Sequence, residues 1–370
     1  MGLISKCRNY IRWHPVVQNR RRKREKRLYI RQRNQRYPQL IWQEAQPCPQ
    51  KRVEAARMQV GSKLFVFGGY ITLETVSRRV DLFDLETQRW QQIGTLPVDA
   101  AETHNGTVYD GHNHIYLIGG QLGPSCSPVS ANCFVFDIRT YQWSKLPPLP
   151  EGRYMSLIHL HKGRIHYISG TMPDRCSPAD QHWSIGVANG RSTEAEWTSH
   201  APISSPRTHT ASYLHNDEMF VFGGQTGDVP PIEGNAEYLC NFNTAFDEVF
   251  NEVYTYNLVT GEYQLKEPMP EKLSHSEHAV VRVGSKIIIA GGVLNRFHLS
   301  DLILSYDLNS GQWSEIGRLP YPMKSKVTAY WNGRIYIVTG QRSESELDLT
   351  PGEVLDTVWH APLHVDLPSL

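Results

Sequence analysis

"LFVFGGY", residues 64–70, is an aliphatic and aromatic run that ends at two glycines. The run returns as "IYLIGGQ" (115–121), "IHYISGT" (165–171), "MFVFGGQ" (219–225), "IIIAGGV" (287–293) and "IYIVTGQ" (335–341). Its second glycine, or the equivalent, falls at Gly69, Gly120, Gly170, Gly224, Gly292 and Gly340, so the spacings are 51, 50, 54, 68 and 48 residues. A period near fifty residues sets the architecture before any local assignment does. Each run reads as a strand buried on both faces, and the glycines let the backbone turn where a Cβ would clash.

The surroundings of the run repeat as well. Ahead of it stand a strand and a tight turn, "VGSK" (60–63), "DGHNH" (110–114), "HKGR" (161–164), "HNDE" (215–218), "VGSK" (283–286) and "WNGR" (331–334). These are rich in the Gly, Asn and Asp that hairpin turns need. Behind it come a variable loop, a third strand such as "RVDLFDLETQRW" (79–90) or "LILSYDLNSGQW" (302–313), and a fourth leaving from the aromatic residue. Four strands make one unit. An aromatic residue precedes a proline by seven positions at Trp90 and Pro97, Trp143 and Pro150, Tyr263 and Pro270, and Trp313 and Pro320, with Trp197 and Pro202 a looser version. The sixth unit ends at "DTVWHAPL" (356–363) with no outgoing strand, but "IWQEAQPCP" (41–49) puts Trp42 seven residues before Pro49. Pairing that segment into the last unit closes a ring and leaves no long sheet edge exposed.

At these residues the chain resembles the Kelch-repeat family of β-propellers, whose blades carry a Gly-Gly pair, a Tyr or its substitute, and a Trp. The resemblance covers about 41–363, and units three and six depart from it with Ser169-Gly170 and Thr339-Gly340. "HWSI" (182–185), "GPSC" (123–126) and "TGQR" (339–342) resemble a plant-type Kelch subgroup related at superfamily level to galactose oxidase. The fold implied is all-β, a six-bladed Kelch-type β-propeller closed by an N-terminal strand paired into the last blade. Residues 1–40 are expected to be a basic, disordered arm, 41–363 the propeller and 364–370 a tail.

Composition agrees with a large folded body: 370 residues, 40% apolar and 20% charged. The net charge of +1 hides a division, because residues 1–40 hold 13 Lys or Arg against Glu25 alone, which makes the arm +12 and the remainder −11. "RRRKREKR" (20–27) is expected to be solvated; its charge also suits weak contact with an anionic membrane or nucleic acid, or a nuclear address. No stretch approaches the roughly 18 apolar residues of a membrane helix, and no signal-peptide core is visible. A cytoplasmic monomer is therefore the expectation, with a Golgi or secretory setting the alternative that the resemblance implies. The six cysteines lack CxxC spacing, which argues against zinc and against a dense disulfide framework. Free thiols are favoured; if the compartment oxidises, Cys126 could pair with Cys176 or Cys240.

Within a blade, the A–B and C–D connections lie on one face and the B–C and D–A connections on the other. The B–C loops run long at 121–131, 171–181, 225–251 and 341–354, so the B–C/D–A face is the expected binding surface. Counting back seventeen residues from the second glycine gives Arg52, Arg153, Arg207 and His275, and sixteen gives His104 and Lys324. Six such residues around the channel mouth either satisfy backbone carbonyls between blades, the favoured reading, or form a cationic rim for an anionic or polyhydroxylated ligand. His182, Trp183, His209, Glu277, His278, Lys326 and Arg342 stand near the same rim. "HSEH" (275–278) and "RTHT" (207–210) invite a metal reading, but alternation along a strand turns His275 and His278 to opposite sides. No metal and no cofactor is expected. The sequon Asn105-Gly106-Thr107 falls inside an expected inner strand, where modification is disfavoured.

Two functions follow. The first is an interaction propeller that holds a protein or glycan without catalysis. The second, implied by the resemblance, is a carbohydrate-active enzyme of the sugar epimerase or mutarotase kind, or less readily a copper oxidase. In it Arg52, Arg153 and Arg207 would hold a carboxylate while Glu277 or His275 moved protons. No catalytic pair is fixed by the residues themselves, and binding is favoured.

Overall fold

A computed structural model describes residues 40–72, 74–123, 128–175, 177–227, 249–294, 298–343 and 352–363. Every regular element among them is a strand. The glycine-ended runs are the second strands of six four-stranded antiparallel blades. Blade one is built from Ala56–Val60, Lys63–Phe67, Arg79–Asp84 and Arg89–Thr95, named A to D from the axis outward. Blade two follows with Gly106–Tyr109, His114–Ile118, Cys133–Asp137 and Gln142–Leu146. Blade three has Leu157–His161, Arg164–Ile168, His182–Ala188 and Thr198–Ser199. Blade four has Ala211–His215, Glu218–Phe222, Val253–Asn257 and Tyr263–Lys266. Blade five has Val280–Val283, Lys286–Val293, Leu299–Asp307 and Trp313–Arg318. Blade six takes Val327–Trp331, Arg334–Arg342 and Glu353–Pro362 from the far end of the chain. Its outer edge is Gln43–Glu44, paired as Gln43 with His360 and Glu44 with Trp359.

Because side chains alternate along a strand, each blade has two apolar faces and must bury both. The core is accordingly divided into six slabs between blades. Phe65, Phe67 and Leu82 of blade one pack with Ile115, Leu117 and Phe136 of blade two. Val327, Val338 and Val358 of blade six close the circle against Leu64, Val66 and Phe83 of blade one. Each fully buried side chain of this size contributes roughly 1.5–3 kcal/mol, so the slabs carry most of the cohesion.

The repeated glycines have a geometric cause. The amide of the second glycine donates to a carbonyl that precedes the inner strand of the next blade: Gly69 to Glu102 at 2.7 Å, Gly120 to Arg153 at 2.8 Å, Gly170 to Arg207 at 3.2 Å and Gly224 to Leu273 at 2.8 Å. Gly340 donates to Arg52 at 2.9 Å and so joins the last blade to the first. The approach leaves no room for a side chain, since a Cβ on Gly119 would lie 2.6 Å from the Arg153 oxygen. Blade three departs with Ser169, and the serine replaces the close approach by bonding: its Oγ donates to the Arg207 carbonyl and accepts from the Arg207 amide, both at 2.7 Å.

The aromatic at the start of the outer strand is a staple between blades. Indole N–H groups donate to the previous blade from Trp143 (to Thr95, 3.1 Å), Trp197 (to Pro147, 3.0 Å) and Trp313 (to Glu267, 3.0 Å). Trp90 donates to Gln46 at 3.0 Å and Trp42 to Arg318 at 2.8 Å, so residues 42–46 occupy the position that an outer strand holds elsewhere. Removing residues 1–45 is expected to lower the thermal midpoint by roughly 5 °C or more, as read by differential scanning fluorimetry. A midpoint equal to that of the full chain would show that the segment does not hold blade six to its neighbours.

Candidate functional site

The six inner strands surround an axial cavity of about 690 Å³. Its lining becomes steadily more buried from the A–B turns toward the strand starts. Tyr109, Tyr213, Arg282, Tyr330 and Trp331 stand around the mouth, Arg57 lies deeper against the Val280 carbonyl, and Asn105, Met155, Thr210, Glu277 and His278 form the floor. The mouth therefore lies at the A–B turns, at the opposite end of the axis from the B–C/D–A face expected to bind. Of the long B–C loops on that face, residues 124–127, 228–248 and 344–351 lie outside the described residues, as do the arm 1–39 and Cys126, Cys176 and Cys240.

Six residues just before the inner strands close the floor: Glu54, His104, Met155, His209, His275 and Ser325. All six have positive φ, between 48° and 59°. This turns their amides and carbonyls around the axis. His104 donates to the Glu54 carbonyl (3.2 Å), Met155 to His104 (3.4 Å), His275 to His209 (3.0 Å) and Ser325 to His275 (3.4 Å). Left-handed backbone at a non-glycine residue is costly and persists where its surroundings over-determine it.

The expected ring of six basic residues is thus three tiers. Val53, Thr103, Tyr154, Thr208 and Ser274 form equivalent bridges to the residue after the glycine pair, and Lys324 pairs with Gln341 in the same way. Arg52, Arg153 and Arg207 precede that position, where the other blades carry Glu102, Leu273 and Met323. His104 and His275 follow it, one tier closer to the axis. A fixed count from the glycine mixes the tiers because blade two has one more residue in its A–B turn and blade five has two more between Ser274 and its inner strand.

The three arginines are buried inside blades. Arg52 has no exposed surface; it is paired with Asp81 and donates to the Gly68 carbonyl at 3.2 Å. Arg153 donates to Glu151 (2.9 Å) and Gln181 (2.8 Å), with its guanidinium 5.2 Å from the Trp183 ring. Arg207 reaches the Gly223 carbonyl (3.1 Å) and Glu252 and lies 4.5 Å from the Phe250 ring. Arg342 is bonded to Glu353 (2.7 Å) away from the cavity. His182 lies in the interface between blades three and four, where its Nδ1 meets the Tyr256 hydroxyl at 3.3 Å. Asn105 donates to the Ala101 and Gly119 carbonyls at 3.1 and 3.0 Å, which leaves its amide group engaged within the fold.

What the structure brings together is a charged floor. Lys324 Nζ donates to Glu54 Oε1 at 3.1 Å, Ser325 Oγ donates to the same oxygen, and His209 Nδ1 stands 3.6 Å from Glu277 Oε1. The His209 and His275 rings stack at 3.9 Å. Burial pushes the Glu54 carboxyl up, but Lys324, His209 and Ser325 outweigh it and its pKa ends below the ordinary value. Burial drives the Lys326 ammonium down to about 7 against the opposing pull of Glu277 and Glu54, and drives His278 down to about 4. Glu54, His209 and Glu277 offer donors within 4.8 Å of one another, the separation of a metal ligand set. Lys324 already supplies positive charge to Glu54, so that carboxylate is balanced without an ion. Glu54, Arg57, Tyr213 and Arg282 escape a sequence reading because no motif marks them; only the register of the inner strands does.

The chain matches the KLHDC2/KLHL20/DRC7 Kelch-repeats domain over residues 17–224. It belongs to the Kelch-repeat family. It is 34% identical over 333 residues to a Kelch repeat-containing protein of Arabidopsis thaliana, a match covering 88% of this chain and 77% of that protein. A Kelch-like protein of Aspergillus terreus is 25% identical over 302 residues, covering 78% of this Kelch chain and 61% of the relative. Kelch domain-containing protein 3 of Rattus norvegicus is 24% identical over 351 residues, covering 85% and 84%. No helix among the described residues of this Kelch propeller is long and apolar enough to cross a membrane.

Two measurements test this geometry. Arg52→Leu leaves the buried Asp81 carboxylate with Arg79 alone and the Gly68 carbonyl without its guanidinium donor, and is expected to cost on the order of 2 kcal/mol in urea unfolding; an unchanged midpoint would free Arg52 for a ligand. Lys326 titrates at about 7 in the fold against an ordinary 10.5. Between those values the unfolded chain holds the extra proton, so stability rises with pH. Lys326→Met should therefore flatten the rise between about pH 7.5 and 9.5 by about 1–3 kcal/mol relative to the wild type.

Proposed function

We propose that this propeller is a binding module whose axial cavity receives a segment of a protein partner through the mouth at the A–B turns. One observation carries the reading: the cavity floor presents buried polar atoms without a hydrogen-bond partner, namely Asn105 Oδ1, both Glu277 oxygens and His278 Nε2. Buried polar groups without a protein partner are expensive, and a ligand that bonds them gains affinity. Asn105 Oδ1 and the Glu277 oxygens are acceptors, so the group that meets them bears donors, as a Lys or Arg side chain or a chain's amino end does, while Lys326 Nζ nearby is a buried donor that also lacks a partner. Tyr109, Tyr213, Trp331 and Arg282 at the mouth are of the types that supply anchoring energy at protein interfaces. This differs from the anionic ligand expected of an arginine rim.

The same acceptors beneath aromatic rings also suit sugar hydroxyls, which keeps a glycan as the second reading. The acid–base alternative rests on Lys326, held near neutrality beside Glu277, as a group that could move a proton in such a ligand. Selection of a displayed random-peptide library on the folded protein separates these. Enriched peptides should bind about tenfold or more weakly to Tyr213→Ala, Arg282→Ala and Glu277→Gln. If peptides do not enrich while a glycan array gives ligands sensitive to the same substitutions, the protein reading fails and the sugar reading stands.

A further inference from the structure

Blade three carries a second polar cluster, remote from the axis. His182 opens the third strand, and alternation puts it on the same face as Ser184. The outer strand pairs Trp183 with Ser199 and Ser184 with Thr198, and His200 continues it with its amide on the His182 carbonyl at 2.9 Å. On the other side His166 is the register partner of Ser184. Three adjacent strands thus deliver three imidazoles to one face. His166 Nδ1 lies 2.8 Å from His182 Nε2, the His182 and His200 rings stack at 4.3 Å, and one nitrogen from each ring lies within 4.8 Å of the others.

The placement is unusual within this chain. The position of His182 is filled by Val80, Cys133, Val253, Ile303 and Val358 in the other blades, each paired across the sheet with the residue two before the second glycine. The position of His166, four residues before that glycine, is held by Phe65, Tyr116, Phe220, Ile288 and Tyr336. Five blades bury aliphatic or aromatic side chains, or in blade two a thiol, where the third buries imidazoles, at a cost that packing alone does not recover.

We propose that His166, His182 and His200 form a binding site for a divalent transition ion of the zinc class. Imidazole nitrogen suits such ions, and three of them leave a fourth position for water or an added ligand. The exposed edge at His200 gives access, while His166 and His182 are buried. A tetrahedral ion with bonds of about 2.0–2.1 Å needs its nitrogens about 3.3 Å apart, so the two inner rings separate by a few tenths of an ångström and the exposed His200 ring turns out of its stack on His182 to aim a lone pair at the ion. The proton they share moves to the far nitrogen of the donating ring; on His182 that nitrogen faces the Tyr256 hydroxyl. Each ligand stays a neutral imidazole. Ser184 Oγ, 2.6 Å from His200 Nε2, orients the outer ring. The nearby Arg164 charge is neutralised by Glu194, at 2.5 and 3.0 Å.

The test is calorimetric titration of Zn²⁺ into the metal-free full chain near neutral pH, with Co²⁺ absorption as the geometry readout. One ion per chain, a higher thermal midpoint and tetrahedral-type Co²⁺ bands are expected. His200→Ala, at an exposed position, should weaken binding by about tenfold or more and abolish the bands. His182→Val, which restores the residue type of the other blades, should keep the metal-free midpoint and lose the metal-induced rise. The site is refuted if the wild type takes up no ion, or if His200→Ala binds as the wild type does, because the ion then sits on others of the 16 histidines.

Discussion

Everything in this fold depends on how closely one blade's backbone approaches the next. The amide after each tight glycine turn reaches a carbonyl that belongs to the following blade, at 2.7–3.2 Å in five of the six junctions. The contact fixes the angle between blades, and the angle fixes their number. It also explains why the glycine pair is required where a Cβ would strike a carbonyl, and why Ser169 can stand in once its hydroxyl makes the bond the approach would otherwise crowd out. The outer tryptophans repeat the device at larger radius, so each blade is held to its neighbour both near the axis and at the rim.

Closing a ring forces six chain segments together at its axis, where no neighbour remains to bury an apolar face. This propeller fills the space with Glu54, His104, Met155, His209, His275 and Ser325, each in left-handed conformation and bonded around the axis where the distances allow. Carboxylates and lysines then balance one another out of water. Lys326, at about 7, shows that the balance is incomplete. Of the polar atoms it leaves unpaired, Asn105 Oδ1, both Glu277 oxygens and His278 Nε2 belong to residues that line the cavity.

The candidate site was legible in the sequence only in part. Glu277, His209 and Lys326 were visible as polar residues following a repeated corner, and they do meet at the axis. Arg52, Arg153 and Arg207 were visible for the same reason but face into their blades, where Arg52 and Arg207 reach the glycine-turn carbonyls and Arg153 reaches Glu151 and Gln181. Arg57, Tyr213 and Arg282 carry no local signal. The position of Tyr213 and Arg282 at the mouth, and of Arg57 below them, follows from the A–B turns ringing one end of the axis, and no count along one strand reports that.

The sequence by itself determined the unit, the number of units and the four-strand order, because hydrophobic period, turn chemistry and glycine placement are local and recur six times. It also marked residues 41–49 as an outer strand displaced to the wrong end of the chain. Only the tertiary structure decided which end of the axis is open, which tier each polar residue occupies, and that three histidines spaced 16 and 18 residues apart share one face. Those outcomes depend on register between strands and on contacts between blades. One more residue in a hairpin turn, as in blade two, or two before an inner strand, as in blade five, moves them without leaving a trace in the repeat.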